Sequence, residues 1–373
     1  MNDVGSMPEI RVFVHLAHGF GAQRWEERLR CGEVVGLTDR LPYGYFWAQE
    51  HGCAVVYSED ENETQPKRLI RLSVRWILGF DFIHAWRNRA GIVDADVVWT
   101  HTESQHLAIL LLLLMRPKRR RPKVIAQSIW LFDRWPRFSA LRRLFYARLL
   151  SHADLLTVHS PDNLQRAREL FPGIRSRLVL FGVRSDAVSA LRRRPARCPI
   201  RVLSLGNDEH RDWDTAIAAI RGWKGCELKI VSPRISEHRI EGIANITKAV
   251  PRSMRDLEAL YDWADIVVLT IKPNLHASGI TVILEATVFG LPVICTDAGG
   301  LRAYFPGDEV RYVPPRDAAE LRRAIADLAA DDEGRWILVE RARARMSSHG
   351  LSSRSYARKH AELSRELLCV AAV

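Results

Sequence analysis

His276-Ala277-Ser278-Gly279-Ile280-Thr281-Val282-Ile283-Leu284-Glu285-Ala286-Thr287-Val288-Phe289-Gly290-Leu291-Pro292-Val293-Ile294 joins a loop of small residues, an apolar helix with one carboxylate, and an apolar strand. Ser278, Gly279 and Thr281 leave room for a ligand against backbone N–H groups at the helix start. Unpaired donors and the helix dipole attract an anion at such a place. Glu285 projects about one turn further on, where it is placed to accept hydrogen bonds from a pair of sugar hydroxyls. Gly290-Leu291-Pro292 ends the helix, and 293–296 reads as a short strand buried on both faces. The arrangement suits a nucleotide diphosphate. The same letters also fit a helix–turn–strand unit of any α/β protein whose glutamate faces solvent.

Outward from this stretch, short runs rich in Val, Ile and Leu recur between longer amphipathic segments. The first series lies at 10–15, 53–57, 96–100, 123–127, 155–159 and 177–181. The second lies at 200–205, 227–231, 246–249, 266–269 and 292–296. Apolar strands alternating with helices predict parallel sheets covered on both faces, that is, two doubly wound α/β domains. The break falls where Leu191-Arg192-Arg193-Arg194-Pro195-Ala196-Arg197 is charged, proline-bearing and aperiodic. We therefore expect a Rossmann-like domain over 1–185, a linker over 186–199 and a second such domain over 200–350. A last helix within 351–373 is expected to pack back on the first domain. The cleft between such domains is the default ligand site.

Composition narrows the class. The 373 residues exceed what one core usually organises, and 47% hydrophobic residues excludes a disordered chain. No stretch approaches the roughly 20 apolar residues of a membrane span, and residues 1–9 have no signal-like apolar core, so a cytoplasmic protein is expected. Cys31, Cys53, Cys198, Cys226, Cys295 and Cys369 lack C-x-x-C spacing, which predicts buried, reduced thiols without zinc or disulfides.

The excess of 55 Lys and Arg over 44 Asp and Glu gives a net charge of +11. It is densest in Arg116-Pro117-Lys118-Arg119-Arg120-Arg121-Pro122-Lys123. A helix predicted over 136–150 puts Phe138, Leu141, Leu144, Phe145 and Leu149 on one face, flanked by Arg142 and Arg148. Arginines that snorkel to headgroups beside such a face predict attachment to an anionic membrane surface. For the helix alone an ordinary amphipathic helix docked on its own sheet is the better reading, and it is the basic run beside it that favours the membrane surface. Nucleic acid is not expected, because no binding motif accompanies the charge.

Residues with chemistry cluster after the strands. His15-Leu16-Ala17-His18-Gly19-Phe20-Gly21 follows the first, and Gly19 and Gly21 let a ligand approach the backbone. The third glycine of a dinucleotide fingerprint is missing, so no nicotinamide cofactor is expected. His101 and Glu103, after the third strand, and Asp133, after the fourth, are candidates to orient or deprotonate an acceptor hydroxyl. In the second half Gly206 turns the chain after a strand, and Arg211 follows with a planar fork suited to phosphate oxygens. Asp94-x-Asp96 and Asp212-x-Asp214 are poorly placed as metal ligands, one preceding its strand and the other entering a helix, so no metal site is expected.

The C-terminal half resembles the GT-B glycosyltransferases, specifically the retaining family 4 group, from about residue 199 to 327. The resemblance is carried by Leu205-Gly206 and Arg211, by Tyr261-Asp262-Trp263-Ala264-Asp265-Ile266-Val267-Val268-Leu269, by the Glu285 segment, and by Thr296-Asp297-Ala298-Gly299-Gly300-Leu301. It implies that Gly206 and Arg211 hold the donor diphosphate and that Glu285 grips the ribose. Gly19 and Gly21, read from their place after the first strand, and His276, Ser278, Gly279, Ile280 and Thr281 in the loop before the Glu285 helix complete the expected donor contacts, and 248–254 occupies the place where the resemblance implies that the base is read. The chain departs from the family at Ala277, where a sugar-contacting glutamate is usual, at Asn207, where an arginine is usual, and at Gln127-Ser128, where a histidine is usual.

Two classes of function follow. The resemblance implies a retaining, metal-independent glycosyltransferase needing no cofactor. It would move a hexose or uronic acid from a nucleotide-sugar, UDP-linked by preference, to a lipid or lipid-linked glycan, peripherally at the inner face of the cell membrane. Glycolipid or polysaccharide synthesis would be its setting. Ala277 and the positive charge instead suit a non-catalytic nucleotide-sugar or polyanion binder of the same fold, and a sugar-nucleotide epimerase shares the architecture.

Overall fold

The computed structural model describes residues 9–118, 121–185, 191, 193, 195 and 197–369. In chain order the first elements are β1 (Ile10–His15), α1 (Ala22–Arg30), β2 (Cys53–Tyr57), α2 (Gln65–Leu78), α3 (Phe82–Arg87), α4 (Arg89–Asp94) and β3 (Val97–Thr100). Then come α5 (Glu103–Leu114), β4 (Lys123–Ser128), α6 (Leu131–Arg134), α7 (Ala140–Leu150), β5 (Leu155–Val158), α8 (Pro161–Leu170) and β6 (Ser176–Leu178). The second series is β7 (Ile200–Leu205), α9 (Trp213–Ile220), β8 (Cys226–Val231), β9 (Ile246–Ala249), α10 (Met254–Trp263), β10 (Ile266–Leu269), α11 (Ile280–Val288) and β11 (Val293–Thr296). β12 (Arg311–Val313), α12 (Ala318–Ala330), α13 (Asp332–Ser348) and α14 (Ser353–Cys369) complete it.

The chain divides into two compact units. One holds Asp39–Leu180 with the chain before Gly32 and the segment from Ser353 onward; the other holds Phe181–Ser352 together with Gly32–Thr38. The expected linker lies largely outside the described residues.

In the first unit a parallel sheet runs in the order β2-β1-β3-β4-β5-β6. Its inner strands β3 and β5 are buried on both faces, as their apolar runs demand, whereas the edge strands β2 and β6 each leave a residue exposed. The order reverses between β1 and β3, so the loops leaving these two strands flank the crevice where α/β sheets bind ligands. α5, apolar all round, is buried along most of its length, and Thr102 and Gln105 start it with a reciprocal capping box. α14 joins this unit: Trp99 Nε1 donates to Ser364 Oγ at 2.9 Å, and the Tyr45 and Tyr356 hydroxyls meet at 3.2 Å.

The helix expected over 136–150 is corrected. Ser139 caps it by accepting from Arg142 N–H, so α7 begins at Ala140 and Pro136 stays in a 3-10 turn. Its apolar face also divides: Tyr146, Leu149 and Leu150 pack inward, whereas Leu141 and Leu144 are exposed. The thiols need a correction as well. Cys53, Cys226 and Cys295 are buried, but Cys31, just after α1, Cys198, ahead of β7, and Cys369, the last residue of α14, are exposed; all six are free.

The second unit carries the order β12-β11-β10-β7-β8-β9, parallel throughout, with its reversal between β10 and β7. Its core draws Ile200, Val202, Leu228, Ile230, Ile266, Val268 and Ile294 from the strands and Ile217, Leu321 and Ile325 from the helices. β12, too short and too polar to read as a strand in sequence, closes the edge beside β11. Among the described residues no helix is long and apolar enough to cross a membrane.

Candidate functional site

In the second unit the loops leaving β7, β10 and β11 converge at the carboxyl ends of the strands. Thr270 Oγ1 donates to the Asp212 carbonyl at 2.7 Å, and Lys272 N–H to the His210 carbonyl at 2.7 Å, tying the first two loops together. Ile271 N–H donates to Thr296 Oγ1 at 3.1 Å, which adds the third. Asn274 Oδ1 accepts from the N–H groups of His276 and Ser278 at 3.2 and 3.1 Å, folding the small-residue loop into a fixed turn. The left-handed Gly299 is needed because a Cβ there would lie 2.5 Å from that same Asn274 oxygen.

Arg211 sits buried at this convergence. Its Nε donates to the Leu205 carbonyl at 3.0 Å and its Nη1 to Ser278 Oγ at 2.8 Å, with Asp208 Oδ2 at 3.2 Å. Ser278 Oγ in turn donates to Asp208 Oδ2 at 2.8 Å. Gly206, at φ 145°, is the residue that admits the guanidinium, since a Cβ there would fall 1.7 Å from Arg211 Nε. Gly279, at φ 84°, caps α11, and a Cβ there would meet Leu269 at 2.5 Å and Arg211 Nη1 at 3.1 Å. A guanidinium, a hydroxyl and the amino end of a helix thus share one point beside the topological switch, an arrangement that receives an anion. Burial draws the Arg211 pKa below its ordinary value, Asp208 opposing. For Asp208 burial acts upward, but the Arg211 charge and the Ser278 hydroxyl outweigh it, so its carboxyl stays below the usual range and ionised.

The remaining predicted donor residues have distinct placements. His276 is buried with its ring edge-on to His210 at 4.8 Å, Ile280 is buried at the start of α11, and Thr281 is exposed in the first turn. Glu285 is buried: its Oε1 accepts from the Leu37 backbone N–H at 3.0 Å and its Oε2 from Tyr261 Oη at 3.0 Å. Burial raises its pKa while these two donors act downward. The carboxylate therefore holds the segment Gly32–Thr38 against α11, and each oxygen keeps a further lone pair. Sequence reading missed Leu37, because a backbone N–H leaves no signature, and it missed Asp208 and Asn274, whose signal was only their place in loops after apolar strands.

Gly19 and Gly21 lie in the first unit, after β1. Both oxygens of Asp60 accept from Gly19 N–H at 3.0 Å, and Oδ2 from Gly21 N–H at 3.2 Å, so the protein's own carboxylate already occupies these donors. His101, after β3, is buried; its Nδ1 meets Tyr45 Oη at 3.0 Å and its ring stacks on Tyr43 at 3.5 Å. Burial first, then His159 and His360, push its pKa well below the ordinary value and keep it neutral. Glu103 is buried at the start of α5, accepting from the N–H groups of Ile129 and Trp130 at 3.4 and 3.3 Å, with Arg134 at 3.6 Å. Burial raises its pKa. Asp133 is half-buried on α6, close enough to Asp162 to help burial raise that carboxyl. Asp94 and Asp96 pair with Arg11, and Asp212 caps α9 through Thr215 N–H, so neither acidic pair stands as a ligand cluster.

Two doubly wound units of this topology make up the fold class of the GT-B glycosyltransferases. Residues 186–331 match the family described as glycosyl transferases group 1. Among solved structures the chain is similar to sucrose-phosphate synthase from Thermosynechococcus elongatus, at 17% identity and TM-score 0.73, over 96% of this chain and 100% of that one. It is also similar to HepE of Anabaena in complex with UDP-glucose, at 14% identity and TM-score 0.65, covering 96% and 100%. A third is the trehalose 6-phosphate synthase of Burkholderia multivorans, at 13% identity and TM-score 0.62, covering 98% and 100%. No curated protein matches the chain in sequence.

Proposed function

We propose that the protein is a glycosyltransferase that takes a sugar from a nucleotide diphosphate donor. The observation that carries this reading is the buried Arg211 bonded to Ser278 at the amino end of α11. A fixed cation and helix donors at that point offset the charge that develops on a departing diphosphate, without calling on a metal ion. Support comes from the matching family over 186–331 and from HepE of the same fold, which was solved with UDP-glucose and with UDP. The donor is a UDP-linked hexose or uronic acid, and the product keeps the anomeric configuration. In the step, the bond from the sugar's anomeric carbon to the diphosphate oxygen breaks, the bond to the acceptor oxygen forms on the same face, and the acceptor proton passes to the leaving diphosphate. His101, held neutral, serves as a hydrogen-bonding partner rather than a charged acid. The acceptor is a lipid or lipid-linked glycan reached from the membrane surface.

The test is nucleotide release from UDP-, GDP- and ADP-sugars, with and without anionic vesicles carrying a bacterial-type lipid extract. Lipid-dependent release from one UDP-sugar is expected. Binding of every donor without release would make the protein a non-catalytic nucleotide-sugar binder, and donor conversion with no acceptor would make it an epimerase.

A further inference from the structure

α2 is inside out. Of its fourteen residues the one buried is Arg71, 5% exposed, and it is neutralised there: Nε and Nη2 donate to Glu63 at 2.7 and 3.0 Å, and Nη1 to Asp81 at 2.6 Å. The opposite side of the helix carries Leu69, Ile70, Leu72, Trp76 and Ile77, all exposed, with Trp76 at 80% and Ile77 at 64%. A helix of a water-bathed surface has the reverse pattern, charge outward and apolar side chains beneath.

α7 extends this face. Tyr146 Oη donates to the Leu78 carbonyl at 2.9 Å and Arg142 Nη2 to the Ile77 carbonyl at 3.4 Å, which fixes α7 beside the end of α2. It contributes Leu141 at 77% exposure and Leu144 at 69%, the two residues that its docking leaves uncovered. Neither the fourteen residues of α2 nor the eleven of α7 include an acid, whereas Lys67, Arg68, Arg75, Arg142, Arg143 and Arg148 all lie on them. Lys67 pairs with Glu61 at 2.6 Å. At the far end of α7, Lys118, Arg121 and Lys123 line a depression with Ser151 and His152.

From this we infer that the α2–α7 face is a docking surface for an anionic phospholipid bilayer, with Trp76, Ile77, Leu69, Ile70, Leu141 and Leu144 entering the headgroup region and the basic residues resting on lipid phosphates. Charge selects this occupant. A second copy meeting the same face would oppose two predominantly basic surfaces, in which Glu61 and Asp154 offset only Lys67 and Lys123, and like-charge repulsion disfavours that, whereas anionic headgroups complement them. Apolar burial and charge attraction act together there, as a lasting interfacial attachment requires. The inference deepens the reading of an acceptor at the membrane but is measured without turnover.

The experiment is co-sedimentation of the full chain with vesicles of phosphatidylcholine alone and of phosphatidylcholine with phosphatidylglycerol. Wild type is expected to sediment with the anionic vesicles and not with the neutral ones. Trp76→Ser with Ile77→Ser should abolish sedimentation, and Arg68→Gln with Arg75→Gln should weaken it about tenfold, the scale of two surface charges partly screened by salt. Unchanged thermal unfolding shows that both variants fold, as expected for exposed positions. Equal sedimentation of wild type and the Trp76/Ile77 variant would overturn the inference. So would a dimer in sedimentation velocity that this variant dissociates while vesicles bind neither protein. Anionic-vesicle binding by a protein that never releases nucleotide supports the docking surface and removes only the enzymatic reading.

Discussion

The Leu37 backbone N–H donates to Glu285 Oε1 at 3.0 Å across 248 residues of sequence, so the carboxylate expected to grip a ribose is also a strut for the segment Gly32–Thr38. Gly36 keeps that segment close, since a Cβ there would stand 3.1 Å from the same oxygen. Substitution separates the two roles. In Glu285→Gln the amide oxygen faces Leu37 and the amide N–H faces the Tyr261 oxygen, so folding loses about 1 kcal/mol or less. Nucleotide binding weakens by about 1–3 kcal/mol through the lost charge. Glu285→Ala strands a buried N–H and a buried hydroxyl and costs stability about 2–4 kcal/mol. Denaturant unfolding and UDP titration of both variants check this; unchanged UDP affinity in Glu285→Gln would remove Glu285 from the donor site.

Gly206 and Arg211 give a steric test of the anion site. Arg211→Ala is expected to weaken UDP binding about a hundredfold, the scale of a charge-assisted pair. Gly206→Ala should reach a similar loss with the charge retained, because its Cβ would overlap the Nε of Arg211 and evict the guanidinium from the Leu205 carbonyl and Ser278. Calorimetric titration with UDP reads both. Full affinity in Gly206→Ala would show that the position of Arg211 is irrelevant to the ligand.

Asp208 competes with the ligand it helps to receive. Its Oδ2 lies 3.2 Å from Arg211 Nη1 and takes the Ser278 hydroxyl, holding both in place but leaving a negative charge beside the incoming phosphates. Asp208→Asn keeps the acceptor for Ser278 and removes the charge. UDP affinity should therefore rise several-fold, about 1 kcal/mol for one charge near a protein surface partly screened by water. Weaker binding would mean that Asp208 contributes more by ordering Arg211 than it costs by repulsion.

How much of this was legible in the sequence depends on what kind of contact was asked for. Runs such as 266–269, wholly apolar, and 200–205, apolar but for Arg201 and Ser204, show themselves because a strand buried on both faces must be mostly apolar, and both sheets followed from them. Arg-Tyr-Val at 311–313 does not, since an edge strand with one exposed side carries no such run. The Arg211–Ser278 point was readable because both partners are side chains in glycine-bearing loops after strands. Leu37 on Glu285 and the amides of Gly19 and Gly21 on Asp60 were not, since main-chain donors are the same at every residue. α2 shows a further limit: the spacing of Leu69, Ile70, Trp76 and Ile77 marks a face but not its direction, and only the buried ion group of Arg71 with Glu63 and Asp81 turns that face outward.

Acid should unfold the first unit through its histidines. Burial, the first cause in each case, lowers His15 and His101 well below the ordinary range, His84 and His360 to about 4, and His106 to about 3. All five belong to the first unit. Because their folded-state pKa values are depressed, the unfolded chain takes up the protons first. Stability is complete above the unfolded value of 6.5 and is lost as the pH falls below it. Each histidine withdraws about 1.4 kcal/mol per pH unit in that window, so one unit below 6.5 the loss is on the order of 5 kcal/mol. Urea unfolding followed by circular dichroism on either side of pH 6.5 measures it as an uptake of about five protons on unfolding. His106→Gln should reduce the uptake by about one, because Gln127 O then faces an amide that does not titrate. A pH-independent midpoint down to pH about 5 would show that these rings are already solvated in the folded protein.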